Sequence, residues 1–428
     1  MRIRRTGLAA GAALLAAALG LTLALGGGEQ RQPGILLTAA AAPEPAPSAA
    51  ELTATSQATE AFGVDLYRAL AQQQNVALSP AGLAAVLGML LPSAHGTTQQ
   101  ELATALRTRL PADRYAMALG ALRAQPGDKR VVLKQSDTLW AQHGYPVRQD
   151  YLALLAAAFR TGVRTTDFAK DPDGSRNAVN QLVEQQTGGL VKNLFAPGQL
   201  DSGTLLALTD ALYLKADWET PFKAADSTDQ AFHRLDGSTP EVRMMHQNDD
   251  LRYAAGTGPG APWQAVELPY VGGDLAMDLV VPDQGDFDAF RGALTGPVLD
   301  QVLGALTQTR IELAVPKFSL QSDEDLNGAL AGLGVRTAFS TAADLTGLVP
   351  AGTSPKPVLT SVVQKAVVQV DETGTTAAAG SGAAVGATAV APPRVSARLT
   401  VDRPFVFLIR DLRSGQLLFL GQVTDPQG

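Results

Sequence analysis

Apolar residues recur every four positions at Ala58, Phe62, Leu66 and Leu70. That is the spacing of one helical face, and it predicts an amphipathic helix. Residues 75–78 read as a short strand. Ser79 and Pro80 then open a second helix, because the Ser hydroxyl accepts free backbone N–H groups and the Pro ring suits a first turn. This helix runs to about Leu91 and is apolar all round, which predicts burial on most sides. Residues 131–141 read as a strand and 149–159 as a helix. Residues 173–186 predict a polar-faced helix with Val179, Leu182 and Val183 on its inner side. Residues 204–216 are almost continuously apolar, as expected of a strand covered on both faces.

The second half of the chain alternates strands and turns. Residues 232–253 contain Asp236-Gly237 and suggest two strands around a turn. Residues 265–268 and 275–281 flank another turn. Residues 310–320 alternate as one strand, 325–333 form a helix ending at Gly334, and 358–370 have strong strand propensity. Residues 399–410 and 417–423 read as a closing hairpin around Arg413-Ser414-Gly415. There is no internal repeat. Strands and helices are mixed without strict alternation, the signature of an α+β fold.

Composition narrows the chemistry. The 428 residues hold 34 Lys and Arg against 41 Asp and Glu, a net charge of -7, which argues against nucleic acid as partner. There is no Cys, so disulfides, thiolate metal sites and Cys nucleophiles are excluded. The 4 His residues (His95, His143, His233, His246) have no metal-ligand spacing, and no cofactor is implied. Neither G-x-S-x-G nor S-x-x-K occurs, so a hydrolase reading has no support, and the chain reads as a non-enzyme.

The N-terminus carries Arg2, Arg4 and Arg5, then an uncharged Ala/Leu run from residue 7 to 25, broken by Gly26, Gly27 and Gly28. Residues 1–28 are the pattern of a secretory signal, long enough to serve as a membrane anchor if uncleaved. A secreted or extracytoplasmic location follows, with membrane contact only in the uncleaved case. Residues 29–50 are rich in Ala and Pro and read as a solvated linker. Residues 51–428 are left as the folded unit.

One segment stands out. Residues 375–391 carry no charge and no large side chain, yet strong strands flank them on both sides. By composition this is a flexible linker. A long unstructured stretch inside a compact domain is usually functional, however, and small side chains at alternating positions suit a strand that slides into an existing sheet.

The run Val367-Val368-Gln369-Val370-Asp371-Glu372-Thr373-Gly374-Thr375-Thr376-Ala377-Ala378 resembles the hinge of a serpin. Other strings follow in serpin order: Asn75 to Pro80; Gly96-Thr97-Thr98; Asn180, Thr187, Gly189 and Leu190; Asp210-Ala211-Leu212-Tyr213; Trp218-Glu219-Thr220-Pro221-Phe222; Met244-Met245; Val266 to Tyr270; Val315-Pro316-Lys317-Phe318; Arg403-Pro404-Phe405; and Gly421-Gln422-Val423. The resemblance extends over residues 51–426.

It implies one domain of three β-sheets and eight or nine helices with an exposed reactive-centre loop, acting as a monomer. It also implies single-turnover inhibition of a serine protease. The protease cuts the loop and is held as an acyl-enzyme while the loop inserts into the main sheet. The hinge is then Glu372, Gly374, Thr375, Ala377, Ala378 and Ala379. Counting the family's seventeen residues from Glu372 inclusive ends at Thr388, so the reactive bond is Thr388–Ala389. Small neutral residues there imply an elastase- or subtilisin-like target.

The resemblance assigns Ser79, Asp210 and Gln364 to the shutter, where the sheet opens, and Trp218 and Lys317 to the breach, with Lys317 paired to Glu372. Relatives commonly have Asn and His where Asp210 and Gln364 stand, and a second Ser where Gly82 stands. A buried Asp210 needs donors or a raised pKa, and the Gln364 amide and Ser79 hydroxyl are the candidate donors. The basic residues Arg107, Arg109, Arg114, Arg123, Lys129 and Arg130 are interrupted by acids and apolar residues and read as a solvated face rather than a polyanion site. The altered shutter and Gly380, Gly382 and Gly386 leave open a non-inhibitory serpin acting as carrier, chaperone or scaffold.

Overall fold

The computed structural model describes residues 34–72, 74–123, 125–375 and 395–427. The first elements are β1 (Ile35–Leu37), α1 (Ala49–Leu70), β2 (Val76–Leu78), α2 (Pro80–Leu90), α3 (Gly96–Ala105) and α4 (Ala112–Leu122). Next come β3 (Val132–Gln142), α5 (Gln149–Phe159), β4 (Val163–Thr166), α6 (Pro172–Gln186), β5 (Leu206–Asp217), β6 (Thr228–Ala231), β7 (Glu241–Gly256), β8 (Trp263–Pro269) and β9 (Leu275–Pro282). The chain continues through α7 (Phe287–Ala293), α8 (Gly296–Gly304), β10 (Thr307–Pro316), β11 (Phe318–Asp325), α9 (Asn327–Gly332) and β12 (Leu359–Val370). It closes with β13 (Gly374–Thr375), β14 (Ala397–Thr400), β15 (Phe405–Asp411) and β16 (Leu417–Val423).

Seven strands form one sheet in the order β1-β4-β3-β5-β13-β12-β11, and nine form the rest of the ladder. The sixteen-residue β7 joins two halves of that second ladder, pairing with β6 through Met244 and with β8 from Arg252 onward. With the nine α-helices among the described residues, this is the helix-and-sheet architecture the resemblance implies, with two of its three sheets running continuously through β7 and β10.

Apolar patterning places the main sheet between three packed layers. α2 lies against one face with Leu83, Val86, Leu87, Met89 and Leu90 fully buried. Farther along the strands, Leu212, Leu214, Ala366 and Val368 pack on Met244, Met277, Phe405 and Phe407 of the second sheet. On the opposite face, Val179, Leu182 and Val183 of α6 cover Trp140, Ala207, Ala211, Val363 and Val367. β5 and β12 are therefore covered on both sides, which explains their unbroken apolar runs.

The stretch read as a solvated linker departs from that reading within residues 34–50. β1 pairs antiparallel with β4 and adds an edge strand to the main sheet. Gly34, at φ +66°, lies against the Trp140 ring and the Thr165 carbonyl, an approach that leaves no room for a Cβ. Ala42 N donates to Ala153 O, and Arg114 donates to the carbonyls of Pro45 and Ala46. α1 begins at Ala49, capped by Ser48 and Glu51 in a reciprocal capping box, two residues before the expected boundary. Ala/Pro composition signalled a lack of self-packing, but the neighbouring sheet edge and helices supply the missing contacts.

Residues 310–320 also differ from the expectation of one strand. The run is two strands: β10 pairs with β7 up to Pro316 opposite Met244, Lys317 N adds a last bond to Arg243 O of β7, and from Phe318 the chain pairs with β12 in the main sheet as β11. Within residues 232–253, Phe232 to Pro240 is the connection itself, and the first strand lies upstream at β6.

Candidate functional site

β5 and β12 run parallel and pair directly from Leu206/Leu359 to Tyr213/Val367. Beyond that point they part, and β13 lies between them. Gly374 pairs with Asp217 and Thr375 with Ala216 on one side, and Thr375 with Val370 on the other, all antiparallel. Gly374 is required here: a Cβ would lie 2.0 Å from Ala216 O and 2.7 Å from Asp217 Cα. Thr375 is fully enclosed, and its hydroxyl meets Tyr270 Oη at 2.6 Å.

The tight turn leading into β13 is held from several directions. The Asp371 carboxylate accepts from Thr373 N at 2.8 Å and Thr373 Oγ1 at 2.7 Å. The Trp218 indole N–H donates to Asp371 O at 3.0 Å, and its ring stacks on Tyr270 with centroids 4.6 Å apart and 9° between planes. Trp218 N and Phe222 N donate to the carbonyls of Thr373 and Glu372. Lys317 Nζ lies 2.5 Å from Glu372 Oε2, and Ser227 Oγ donates to Glu372 Oε1 at 2.8 Å. Burial alone would raise the Glu372 pKa. The Lys317 ammonium, its own backbone N–H and the Ser227 hydroxyl outweigh that and hold it below the ordinary value.

Lower in the sheet a row of polar side chains crosses the strands. Asp137 on β3 faces Asp210 on β5, Asp210 faces Gln364 on β12, and Gln364 faces Glu324 on β11. The Gln364 amide donates to Asp210 Oδ2 and to Ser79 O (3.0 Å), while its oxygen accepts from Ser79 N at 2.9 Å. Gln364 thus ties the β5 edge and the start of α2 to β12.

Ser79 Oγ fills the expected capping role, accepting from Gly82 N at 3.1 Å, and Ser79 joins the polar row through its backbone, which bonds to Gln364, rather than through its hydroxyl. The absent side chain of Gly82 is explained by Asp210. A Cβ at 82 would lie 2.2–2.5 Å from all three atoms of that carboxyl group. Burial, and then the facing Asp137, push Asp210 well above the ordinary carboxylate range, against the smaller opposing effects of Gln364 and Arg123.

The residues that the sequence singled out, Ser79, Asp210, Gln364, Trp218, Lys317, Glu372, Gly374 and Thr375, are gathered by the fold along the β5–β12 seam. Ala377, Ala378, Ala379, Thr388 and Ala389 lie outside the described residues. Sequence reasoning missed Asp137, with its ion pair to Arg123 at 3.0 Å, as well as Ser227 and Tyr270 as contacts of the hinge. An acid in the middle of a strand bounded by Leu133 and Leu139 was a signal for Asp137; Ser227 had none.

Among the described residues no group of acids or histidines is arranged to hold a metal ion, and no helix is long and apolar enough to cross a membrane. A family model described as serpin (serine protease inhibitor) matches residues 57–426. An uncharacterised serpin-like protein of Thermococcus kodakarensis is 30% identical, with 86% of this chain and 85% of that protein covered. Plasminogen activator inhibitor 1 of Sus scrofa is 32% identical, with 85% and 91% covered. Among solved structures, human thyroxine-binding globulin complexed with thyroxine aligns with a TM-score of 0.78 at 25% identity, covering 88% of this chain and 100% of that one. The family description and the porcine relative's name are those of inhibitors rather than catalysts, and the chain is not an enzyme but a member of the serpin family.

Proposed function

We propose that this serpin is a single-turnover inhibitor of an extracytoplasmic serine protease with a small primary pocket, elastase- or subtilisin-like, cut at Thr388–Ala389. The observation that carries the reading is β13. Two hinge residues, Gly374 and Thr375, already sit antiparallel between β5 and β12, while the two strands remain zipped below them. Extending β13 downward needs only the parting of β5 from β12. It replaces one parallel ladder by two antiparallel ones, the better geometry per residue.

The thirteen residues from Thr376 to Thr388 are Ala, Gly, Ser, Thr and Val, small enough to pass between strands. At about 1 kcal/mol per net backbone hydrogen bond, one additional ladder of that length stabilises the inserted state by on the order of 10 kcal/mol. In this reading the Glu372–Lys317 pair and the Trp218 clamp hold the breach, and the Ser79–Gln364–Asp210 bonds hold the shutter closed.

The test is to incubate the purified protein with a pancreatic-type elastase and with a subtilisin. A complex of summed mass that survives boiling in detergent, with a released peptide beginning at Ala389, is the expected result. Cleavage with a fully active protease and no rise in thermal stability would favour the carrier or scaffold reading, to which the likeness to thyroxine-binding globulin lends support.

A further inference from the structure

We propose that the shutter of this protein is closed by a proton shared between Asp210 and Asp137, so that sheet opening is released as pH rises. This rests on the reading that β5 and β12 separate, and it adds a regulator to that step.

Asp210 and Asp137 face each other in register, at 0% and 2% exposure. Each has one oxygen accounted for: Asp210 Oδ2 accepts from Gln364, and Asp137 Oδ2 pairs with Arg123. Their Oδ1 atoms are both buried, and neither has a donor among the described residues. Two buried acceptors without a donor are a costly arrangement that a single proton resolves. Placed on Asp210 Oδ1, the proton donates to Asp137 Oδ1. Asp137 keeps its Arg123 partner, and Asp210 presents a neutral carboxyl to the amide of Gln364. The close packing of Gly82 on this carboxyl leaves it no alternative position.

The surrounding groups are few. α2 and its capping Ser79 bring no titratable group to this point; Gly82 faces Asp210, and Ala81 and Ala85 lie beside Asp137 and Arg123. On β12, Lys365 is engaged elsewhere, by Lys192 O and Asp323. Glu324 continues the row beyond Gln364; its carboxyl is also raised, by burial and then by Asp323.

Opening the seam breaks the Asp210–Gln364 bond and admits water to Asp210. The closed state therefore binds a proton that the open state releases. The sign follows by linkage: a carboxyl raised in the closed state stabilises it at low pH, and that stability is lost as pH rises from the ordinary value of 3.8 toward the raised one. Glu60, raised to about 7, and Asp278, raised to about 6, also titrate, but they lie away from this seam.

Two measurements on the full-length protein test this without any protease, so failure of the inhibitor reading is seen separately. The first is infrared spectroscopy at neutral pH. The wild-type spectrum minus that of Asp210→Asn, in which Glu60 and Asp278 contribute equally and cancel, is expected to show the carbonyl band of a buried protonated carboxylic acid, and the same difference taken in a Glu324→Gln background is expected to keep it. The second is the rate of sheet opening in moderate urea, followed by tryptophan fluorescence; the Trp140 indole donates to Thr209 beside Asp210. Between about pH 4.5 and about pH 8.5 the wild type is expected to open at least ~10-fold faster at the alkaline end, within the tenfold per unit that one proton allows. Asp210→Asn, whose amide donates as the protonated acid does, is expected to lose that slope, and Glu324→Gln to keep it. Absence of the band from the wild-type minus Asp210→Asn difference, a slope surviving in Asp210→Asn, or a slope abolished by Glu324→Gln would each overturn the proposal.

Discussion

Substituting Gly82 by Ala probes the packing of the seam with a single methyl group. The added Cβ would lie 2.2 Å from Asp210 Oδ1 and 2.5 Å from its Cγ and Oδ2, well inside contact distance. Neither partner can yield easily. Asp210 is fully buried between Asp137 and Gln364, and α2 is pinned at its start by the two hydrogen bonds between Ser79 and Gln364. Overpacking of this kind costs about 1–3 kcal/mol. The intrinsic preference of a helix for Ala over Gly returns about 0.5–1 kcal/mol, leaving a net loss of ~1–2 kcal/mol. The same substitution in an Asp210→Ala background has no carboxyl to strike, so only the helix gain remains and Gly82→Ala should stabilise. Thermal midpoints at one fixed scan rate, for the wild type, both single variants and the double variant, measure the coupling. Equal effects of Gly82→Ala in the two backgrounds, or stabilisation in the wild type, would refute the argument.

Other outcomes follow from the same contacts. Lys317→Met removes the main charge partner of Glu372. Because the Glu372 pKa is depressed, its stabilisation is present above the ordinary value of 4.5 and lost as pH falls through the lower native value, so the variant's thermal midpoint should depend less on pH in that acid range. Its effect at neutral pH should stay below ~1 kcal/mol, since Lys317 is 38% exposed. Deleting the residues before Ser48 removes β1 and its three cross-strand pairs, at roughly 0.2–1 kcal/mol each, and uncovers Trp140; differential scanning calorimetry should show a lower midpoint. Thr375→Arg forces a charge against the enclosed Tyr270 hydroxyl, so the hinge should leave the sheet, and gels with a cleaving protease should show clipped protein in place of complex.

How far the site was legible depended on how local each cause was. Ser79 and Pro80 announce a helix start by their own chemistry, and α2 begins at Pro80. The apolar runs of β5 and β12 are visible because strands covered on both faces need no alternation. α3, α4, α7 and α8 were overlooked. They are short, and polar or glycine residues interrupt their apolar stripes, so their helicity comes from packing rather than from pattern. Arg123 was read as part of a solvated basic face, yet it reaches Asp137 across from α4, a contact between residues on different elements that no local periodicity encodes.

By itself, the sequence determined the strongly patterned elements such as α1, α2, β5 and β12, the small-residue stretch after Thr375, and the family to which hinge and flanking motifs belong, since each is written in neighbouring residues. The tertiary structure alone decided three things: that residues 34–50 extend the main sheet, that the hinge is already seated between β5 and β12, and that Asp137 faces Asp210 beneath Gly82. Strand register creates these contacts. It joins residues more than seventy positions apart, as at Asp137 and Asp210, and sets the burial that decides whether a carboxyl keeps its proton.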